Sequence, residues 1–331
     1  MIKNRFVGAA LAVVLLFCLA AAAGAQSLET EVANAMADLK LARGDGDLLV
    51  LTDAPYLRPG GRSALPELAV VEALTGCSVG TGNLLFFQRP QTHPLRVMLF
   101  SKTTGDAVIL SVDGPSTVSE SVNMSPRAIA DPAFWKRTGA LVAGKDLFTL
   151  AAVANAWAKG APYDFLKSAE LHNHICPGLT SGYLMARYIL NTYPLKGTAH
   201  YTMIACPVWC KEDALQVMLD CTPGKRGMVV KPLSEKQLAA VAVKNPAGML
   251  LIWDRESKKG TGVALSFDFD ALRRLSPKGA TKAAMVLDAL AYLDKPETFV
   301  FTAATFPLTE TLYNGLTEAG GNPYVLAGLV R

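Results

Sequence analysis

Charge is scarce in this chain. Asp, Glu, Lys and Arg make up 18% of its 331 residues, and the formal net charge is only +4. Lys3 and Arg5 supply two of those positive charges, so the remainder is near neutral. No basic stripe exists to track a nucleic-acid backbone or an anionic membrane surface, and no nucleic-acid partner is expected. Several motifs are also missing. There is no Gly-x-x-x-x-Gly-Lys-(Ser/Thr) phosphate loop. Gly80-Thr81-Gly82 and Gly105-Asp106 are turn glycines without the strand–glycine–helix order of a dinucleotide site. No Cys-x-x-Cys-His attaches a c-type haem, and no Gly-x-Ser-x-Gly elbow presents a serine nucleophile. Beyond the first residues, no segment reaches the ~18 unbroken apolar residues of a membrane helix. Six cysteines are too few for a disulfide scaffold in a chain of this length. What is present is apolar bulk: 51% of residues are hydrophobic, enough for cores in two domains.

The first residues read as a secretory signal. Lys3 and Arg5 form a charged start, Phe6 to Ala22 an apolar stretch, and Ala23-Gly24-Ala25 a small-residue cleavage site. Residues 1–25 are expected to be removed after Ala25, leaving a protein of the periplasm or exterior with no stable membrane span. Cys18 leaves with the signal, and Phe17 before it is too bulky for a lipidation site. No twin-Arg pair is present, so export of an unfolded chain is expected. Cys77, Cys176, Cys206, Cys210 and Cys221 remain. An odd number of cysteines in an exported protein implies a thiol that is free, metal-bound or paired with another chain.

The chain repeats itself. Val71-Glu72-Ala73-Leu74-Thr75-Gly76-Cys77-Ser78-Val79-Gly80 parallels Leu215-Gln216-Val217-Met218-Leu219-Asp220-Cys221-Thr222-Pro223-Gly224. Each is an apolar helix-like run that ends at Cys-(Ser/Thr)-x-Gly. Pro94 to Val112 and Pro246 to Phe267 then each read as two apolar runs around a polar tip, the pattern of a β-hairpin. The first copy should contain a helix over 28–41, a strand over 47–51 and a helix over 64–74. The second should contain a helix over 179–191, a strand over 200–205 and a helix over 211–219. This order of helix, strand, helix, Cys turn and β-hairpin predicts an α+β fold. Two copies, 26–160 and 161–331, are expected to pack as a pseudo-dimer. Residues 114–169 join them, with a helix over 147–158. The tail should hold a helix near 281–293, a strand near 299–302 and a helix near 308–318.

The chemistry concentrates in His172-Asn173-His174-Ile175-Cys176-Pro177-Gly178. In an extended strand, alternate residues face one side, so His172, His174 and Cys176 would point together. Imidazole nitrogen and thiolate sulfur suit zinc and similar borderline metals. Pro177 is favoured at a first helical position, which puts Cys176 at a helix N-terminus where a thiolate is stabilised. Further ligands should come from Cys206, Cys210 and Cys221; Cys206 and Cys210 are also candidates for a disulfide. If Cys210 starts a helix, Asp213 and Gln216 lie on nearby turns. Lys225, near Cys221, would add a positive charge, and Tyr183 and Arg187 lie one turn apart on the helix after Pro177. His93 and His200 read as structural, and Asp268 and Asp270 as a loop or strand end.

The run His172-x-His174-x-Cys176-Pro177-Gly178-Leu179-x-x-Gly182-Tyr183-x-Met185-Ala186, with Cys210-x-x-Asp213-Ala214-Leu215-Gln216 and Cys221-Thr222-x-Gly224-Lys225, resembles the FmdE-like domain family of formylmethanofuran dehydrogenase over about residues 164–268. The resemblance implies an α+β domain, a metal (commonly zinc) at the His/Cys cluster and pairing of two domains. That family takes its name from gene neighbourhood with a molybdenum or tungsten enzyme, so the resemblance does not imply catalysis of that reaction. The first copy resembles a degenerate form that keeps Thr75-Gly76-Cys77-Ser78-Val79-Gly80-Thr81-Gly82-Asn83. Three departures stand out: Cys206 where the family has Glu, Gly227 where it has Asn, and Pro66 at the counterpart of Cys210. The first copy is therefore expected to have lost its metal site, with Cys77 approaching the surviving one.

The leading expectation is an exported protein that binds or traffics a metal, zinc foremost, or a metal-containing small molecule, in the periplasm and with a periplasmic protein partner if it has one. The ligand set is His172, His174, Cys176, Cys210 and Cys221, with Cys206, Asp213, Gln216, Lys225 and Tyr183 around it. One alternative is a zinc enzyme using metal-activated water, with Asp213 or Lys225 assisting proton transfer. The other is thiol–disulfide chemistry through Cys206/Cys210 or Cys176.

Overall fold

The structure, a computed structural model, describes residues 27–139 and 142–331. The segment expected to be an export signal lies outside the described residues. The chain divides into two compact units, the first ending at Asn123 and the second beginning at Met124. Among the described residues, no helix is long and apolar enough to cross a membrane.

The first unit opens with α1 (Leu28–Leu39), β1 (Leu48–Thr52) and α2 (Leu65–Thr75), followed by β2 (Leu84–Phe86), β3 (Leu95–Ser101), β4 (Asp106–Asp113) and β5 (Ser116–Asn123). Ser27 caps α1 by accepting the Thr30 N–H. Its sheet runs β2-β1-β3-β4-β5. β1 is parallel to β2 and antiparallel to β3. Val32 and Met36 of α1 and Leu68 and Val71 of α2 pack on Leu48, Val50, Val97 and Leu99 of the sheet.

The second unit contains α3 (Pro126–Ala130), α4 (Pro132–Thr138), α5 (Leu147–Ala158), α6 (Tyr163–His172), α7 (Pro177–Thr192), β6 (Ala199–Ala205), α8 (Lys211–Leu219), β7 (Met228–Val230) and α9 (Glu235–Ala239). β8 (Pro246–Asp254), β9 (Lys259–Phe267), α10 (Phe269–Arg273), α11 (Lys282–Ala289), β10 (Val300–Leu308), α12 (Glu310–Thr317) and α13 (Pro323–Leu326) complete it. Its sheet runs β10-β9-β8-β6-β7. Both faces are covered. Leu184, Met185 and Ile189 of α7 pack on Met203, Leu250 and Leu265 on one face. Leu316 of α12 and Tyr324 of α13 pack with Ile204, Met249 and Leu251 on the other. Burial on both faces explains why β6 and β8 read as continuous apolar runs rather than alternating ones.

The two lobes are similar at the level of individual hydrogen bonds. β6 is parallel to β7 and antiparallel to β8, as β1 is to β2 and β3. Val50 N–H donates to Asn83 O at 2.9 Å, and Met203 N–H donates to Gly227 O at 2.8 Å. Phe87 N–H donates to Thr52 O, and Lys231 N–H to Ala205 O. Thr52 lies opposite Phe86 as Ala205 lies opposite Val230. The mixed α+β class follows.

Several elements differ from expectation. Residues 116–123, expected within a connector, form β5. Their Ser and Glu content hides a strand because β5 is a sheet edge with mostly exposed side chains. The tail strand extends from the expected 299–302 to Val300–Leu308, pairing with β9 from Phe267 to Gly260 across one irregularity between Thr302 and Ala304. The helix near 281–293 ends at Ala289 and tightens into a 3₁₀ turn over Leu290–Tyr292. Finally, His172 lies on a helix, α6, rather than on a strand.

Candidate metal centre

α6 carries His172 as its last residue. Phe165, Leu166 and Ala169 form its buried side. It stops at Asn173, whose φ of 64° is the left-handed C-cap conformation that Asn tolerates. Thr149 Oγ1–H donates to Asn173 O at 2.7 Å and ties this turn to α5. Ile175 is fully buried and anchors the crossing to α7. Cys176 then caps α7, its Sγ accepting the Leu179 N–H at 3.4 Å, with Pro177 in the first helical position. The His-x-His-x-Cys spacing thus works through a helix end and a helix start. Strand alternation plays no part.

Cys210 comes from a separate element, as the N-cap of α8. Two glycines on α7, one turn apart on one face, let it approach. A Cβ on Gly178 would stand 2.8 Å from Cys210 Cβ, and one on Gly182 would stand 2.1 Å from Lys211 O. Any larger residue at either position forces α8 away. Lys211, fully buried, braces the start of α8. Its ammonium donates to Pro207 O at 2.6 Å, pairs with Glu212 and lies 3.8 Å from the centre of the Trp209 ring. Trp209 Nε1–H in turn donates to Ser181 Oγ on α7 at 3.2 Å.

These contacts bring His172, Cys176 and Cys210 into one group whose donor atoms all lie within 4.8 Å of one another. His172 Nε2 is 3.6 Å from Cys176 Sγ. Tetrahedral zinc, with Zn–S near 2.3 Å and Zn–N near 2.0 Å, spaces its donors about 3.5–3.8 Å apart, so this set fits such an ion. His172 Nδ1–H donates to Asp213 Oδ2 at 2.7 Å, and Gln216 Nε2–H donates to Asp213 Oδ1 at 3.4 Å. A carboxylate on the far nitrogen fixes the tautomer that leaves Nε2 free for a metal. The His174 ring centroid lies 4.3 Å from that of His172 and 5.8 Å from that of Phe148.

The electrostatics agree with a ligand set. Burial works against the Cys176 thiolate, but hydrogen bonds from His172, His174 and Leu179 N–H outweigh it and hold the thiol down at about 5. Burial likewise disfavours the His172 cation, yet its bonds to Asp213 and Cys176 raise it to about 9. Cys210 is pushed up to about 11, first by burial and then by the neighbouring Cys176 charge. The metal-free centre is therefore an imidazolium–thiolate pair with a neutral thiol beside it, and a cation would displace protons from His172 and Cys210.

Other residues singled out in the sequence lie elsewhere. Cys221 is buried and donates to Leu215 O at 3.3 Å, its thiol raised to about 12 by burial. Cys206 is fully buried, with its thiol raised to about 12, and packs on the α12 face of the sheet. All five cysteines of the described residues are free thiols. Tyr183 is in the core, its ring against Phe165 and its hydroxyl donating to Asp164 Oδ1 at 3.0 Å. Lys225 is exposed and pairs with Asp220. Asp268 caps α10, and Asp270 pairs with Arg273. The residues missed in the sequence are Gly178 and Gly182, whose four-residue spacing on a predicted helix was the available signal.

Residues 171–301 match the family model described as FmdE, Molybdenum formylmethanofuran dehydrogenase operon. The second unit carries an FmdE-like domain. The matched segment begins at the end of α6, takes in all three donors and closes within β10. The FmdE-like domain thus supplies the whole candidate centre, while α12 and α13 lie beyond it. No curated relative matches the chain at a significant level.

Proposed function

We propose that this chain is an exported metal-binding protein, with His172, Cys176 and Cys210 as protein ligands in its FmdE-like domain. One observation carries the reading: three donors from three separate helix ends converge within 4.8 Å, and the histidine is already held by Asp213. Zinc is the metal that best suits two thiolates and an imidazole. His174, at the rim, is the candidate for the fourth position. In this reading the protein binds or traffics the ion, or a small molecule containing it, and the first unit is a second FmdE-like copy that has lost its ligands, Pro66 standing at the counterpart of Cys210. The test is elemental analysis of natively purified protein beside His172→Ala and Cys176→Ser. Stoichiometric metal in the wild type and little in the variants is expected; equal metal in all three overturns the reading.

One observation favours a second reading, a zinc enzyme. The centre offers three protein ligands, the number a catalytic zinc keeps while reserving a fourth position for water or substrate. The zinc would then acidify a bound water, while Asp213 holds the orientation of His172. Metal spectroscopy of the cobalt-substituted protein separates the two: a fourth protein ligand, lost in His174→Ala, argues against the enzyme.

A further inference from the structure

Two of the three donors are cysteines, and their surroundings differ from those of every other thiol described. Cys176 and Cys210 are part-exposed, whereas Cys206, Cys221 and Cys77 are at most 2% exposed in apolar packing. Gly178 lies beside Cys176 and Cys210, and even a Cβ there would be 3.3 Å from Cys210 Sγ and 3.5 Å from Cys176 Sγ. The two sulfurs lie within the 4.8 Å span of the donor group, close enough for the two thiols to be candidates for one disulfide.

We propose that Cys176 and Cys210, when no metal holds them, react with low-molecular-weight disulfides and close a disulfide with each other, so that the donor pair doubles as a reducing dithiol. The inference rests on the metal-binding reading only for what prevents the reaction; the pairing of the thiols is independent of it. The pair also replaces Cys206/Cys210 as the redox couple. Cys206 faces the α12 side of the sheet, where Tyr324 O–H donates to its carbonyl at 2.9 Å.

The chemistry balances as follows. The Cys176 thiolate attacks one sulfur of a small disulfide, RSSR. The S–S bond breaks, a new Cys176–S–S–R bond forms, and RS⁻ leaves and takes a proton. Cys210 then releases its proton to solvent and attacks the Cys176 sulfur, expelling a second RS⁻, which is also protonated. Two protein thiols are oxidised and one RSSR is reduced to two RSH. Each sulfur uses the electron pair with which it would otherwise bind a metal, so metal binding and disulfide formation exclude one another.

The experiment uses the full chain, stripped with a chelator, exposed to oxidised glutathione and mapped by peptide mass spectrometry. The expected product is a protein lighter by two hydrogens with a Cys176–Cys210 crosslink. Cys210→Ser should stop at a stable glutathione adduct on Cys176, and Cys176→Ser should show no crosslink. A wild type that stops at the adduct, or that links Cys210 to Cys206, overturns the inference. Preloading with zinc should prevent the crosslink. Direct zinc titration of the same stripped preparation tests the metal reading separately: a crosslink in a protein that takes up no zinc would sink that reading and leave this one standing.

Discussion

Each unit has its own five-stranded sheet; the pairing around the first strand is alike in both, and the residues at its rim differ. After β1 the chain turns through Asp53, whose carboxylate is fully buried, meets Arg89 Nε at 2.5 Å and accepts the Arg96 N–H at 2.9 Å. After β6 the matching residue is Cys206, and the neighbouring loop leads to Cys210, a member of the donor group, then to Lys211 and Glu212. The helix after β1 begins at Leu65-Pro66, with no donor. The Cys turn differs as well. Asn83 Nδ2–H donates to Leu48 O at 3.0 Å, while its counterpart, Gly227, is packed so closely that a Cβ would lie 2.8 Å from Cys221 Cα. The same sheet topology therefore borders a closed ion pair in one unit and, in the other, the loop that carries Cys210, while His172 and Cys176 come from helix ends that precede β6.

Four predictions break or sharpen this contrast. The largest effect should be on metal: Cys210→Ser takes zinc from about one per chain to almost none, while Cys77→Ser in the first unit leaves it unchanged, as read by elemental analysis. Next, Arg89→Met strands a buried carboxylate and should cost the first unit about 3–5 kcal/mol in denaturant unfolding while the chain keeps its zinc. Zinc loss in that variant would mean the contrast is not local. Third, Asp213→Asn, which removes the anchor of His172, should weaken zinc affinity by roughly 10–100-fold in competition titrations. Smallest, alkylation of the metal-free protein by iodoacetamide at pH 6–7 should modify Cys176 ahead of Cys77. The Cys176 thiol sits at about 5, so its rate should rise through that pH and level off above it, whereas burial holds Cys77 in the unreactive thiol form until higher pH. Equal labelling of the two would remove the electrostatic side of the comparison.

Much of this was legible in the chain. α5 over 147–158 and α8 over 211–219 fall where the apolar residues put them: α5 is buried nearly all round, and α8 buries Ala214, Leu215 and Leu219. Both hairpins follow from apolar runs around polar tips. The position of Cys176 at a helix start followed from Pro177. The error over His172 has a physical cause: two-residue spacing looks like a strand, and only the left-handed turn at Asn173 makes a helix end present the same donors. Cys221 reads as a ligand because its turn resembles the family's, yet it is buried against Gly227 and its thiol bonds to Leu215 O, contacts that sequence spacing does not reveal. β5 was hidden because an edge strand needs no apolar face. The role of Cys210 depended on contact between helices distant in sequence, and that contact rests on two absent side chains.

Those absences have a mechanical consequence. Because α7 meets the backbone of α8 at Gly182 and the Cys210 side chain at Gly178, the distance between the two helices also sets the bite of the two sulfurs. Anything that pries the helices apart by a fraction of an ångström loosens the grip on an ion, and an ion that draws the sulfurs together clamps the helices. In the proposed metal site, ion affinity would therefore serve as a readout of helix spacing, a strain gauge for its own domain.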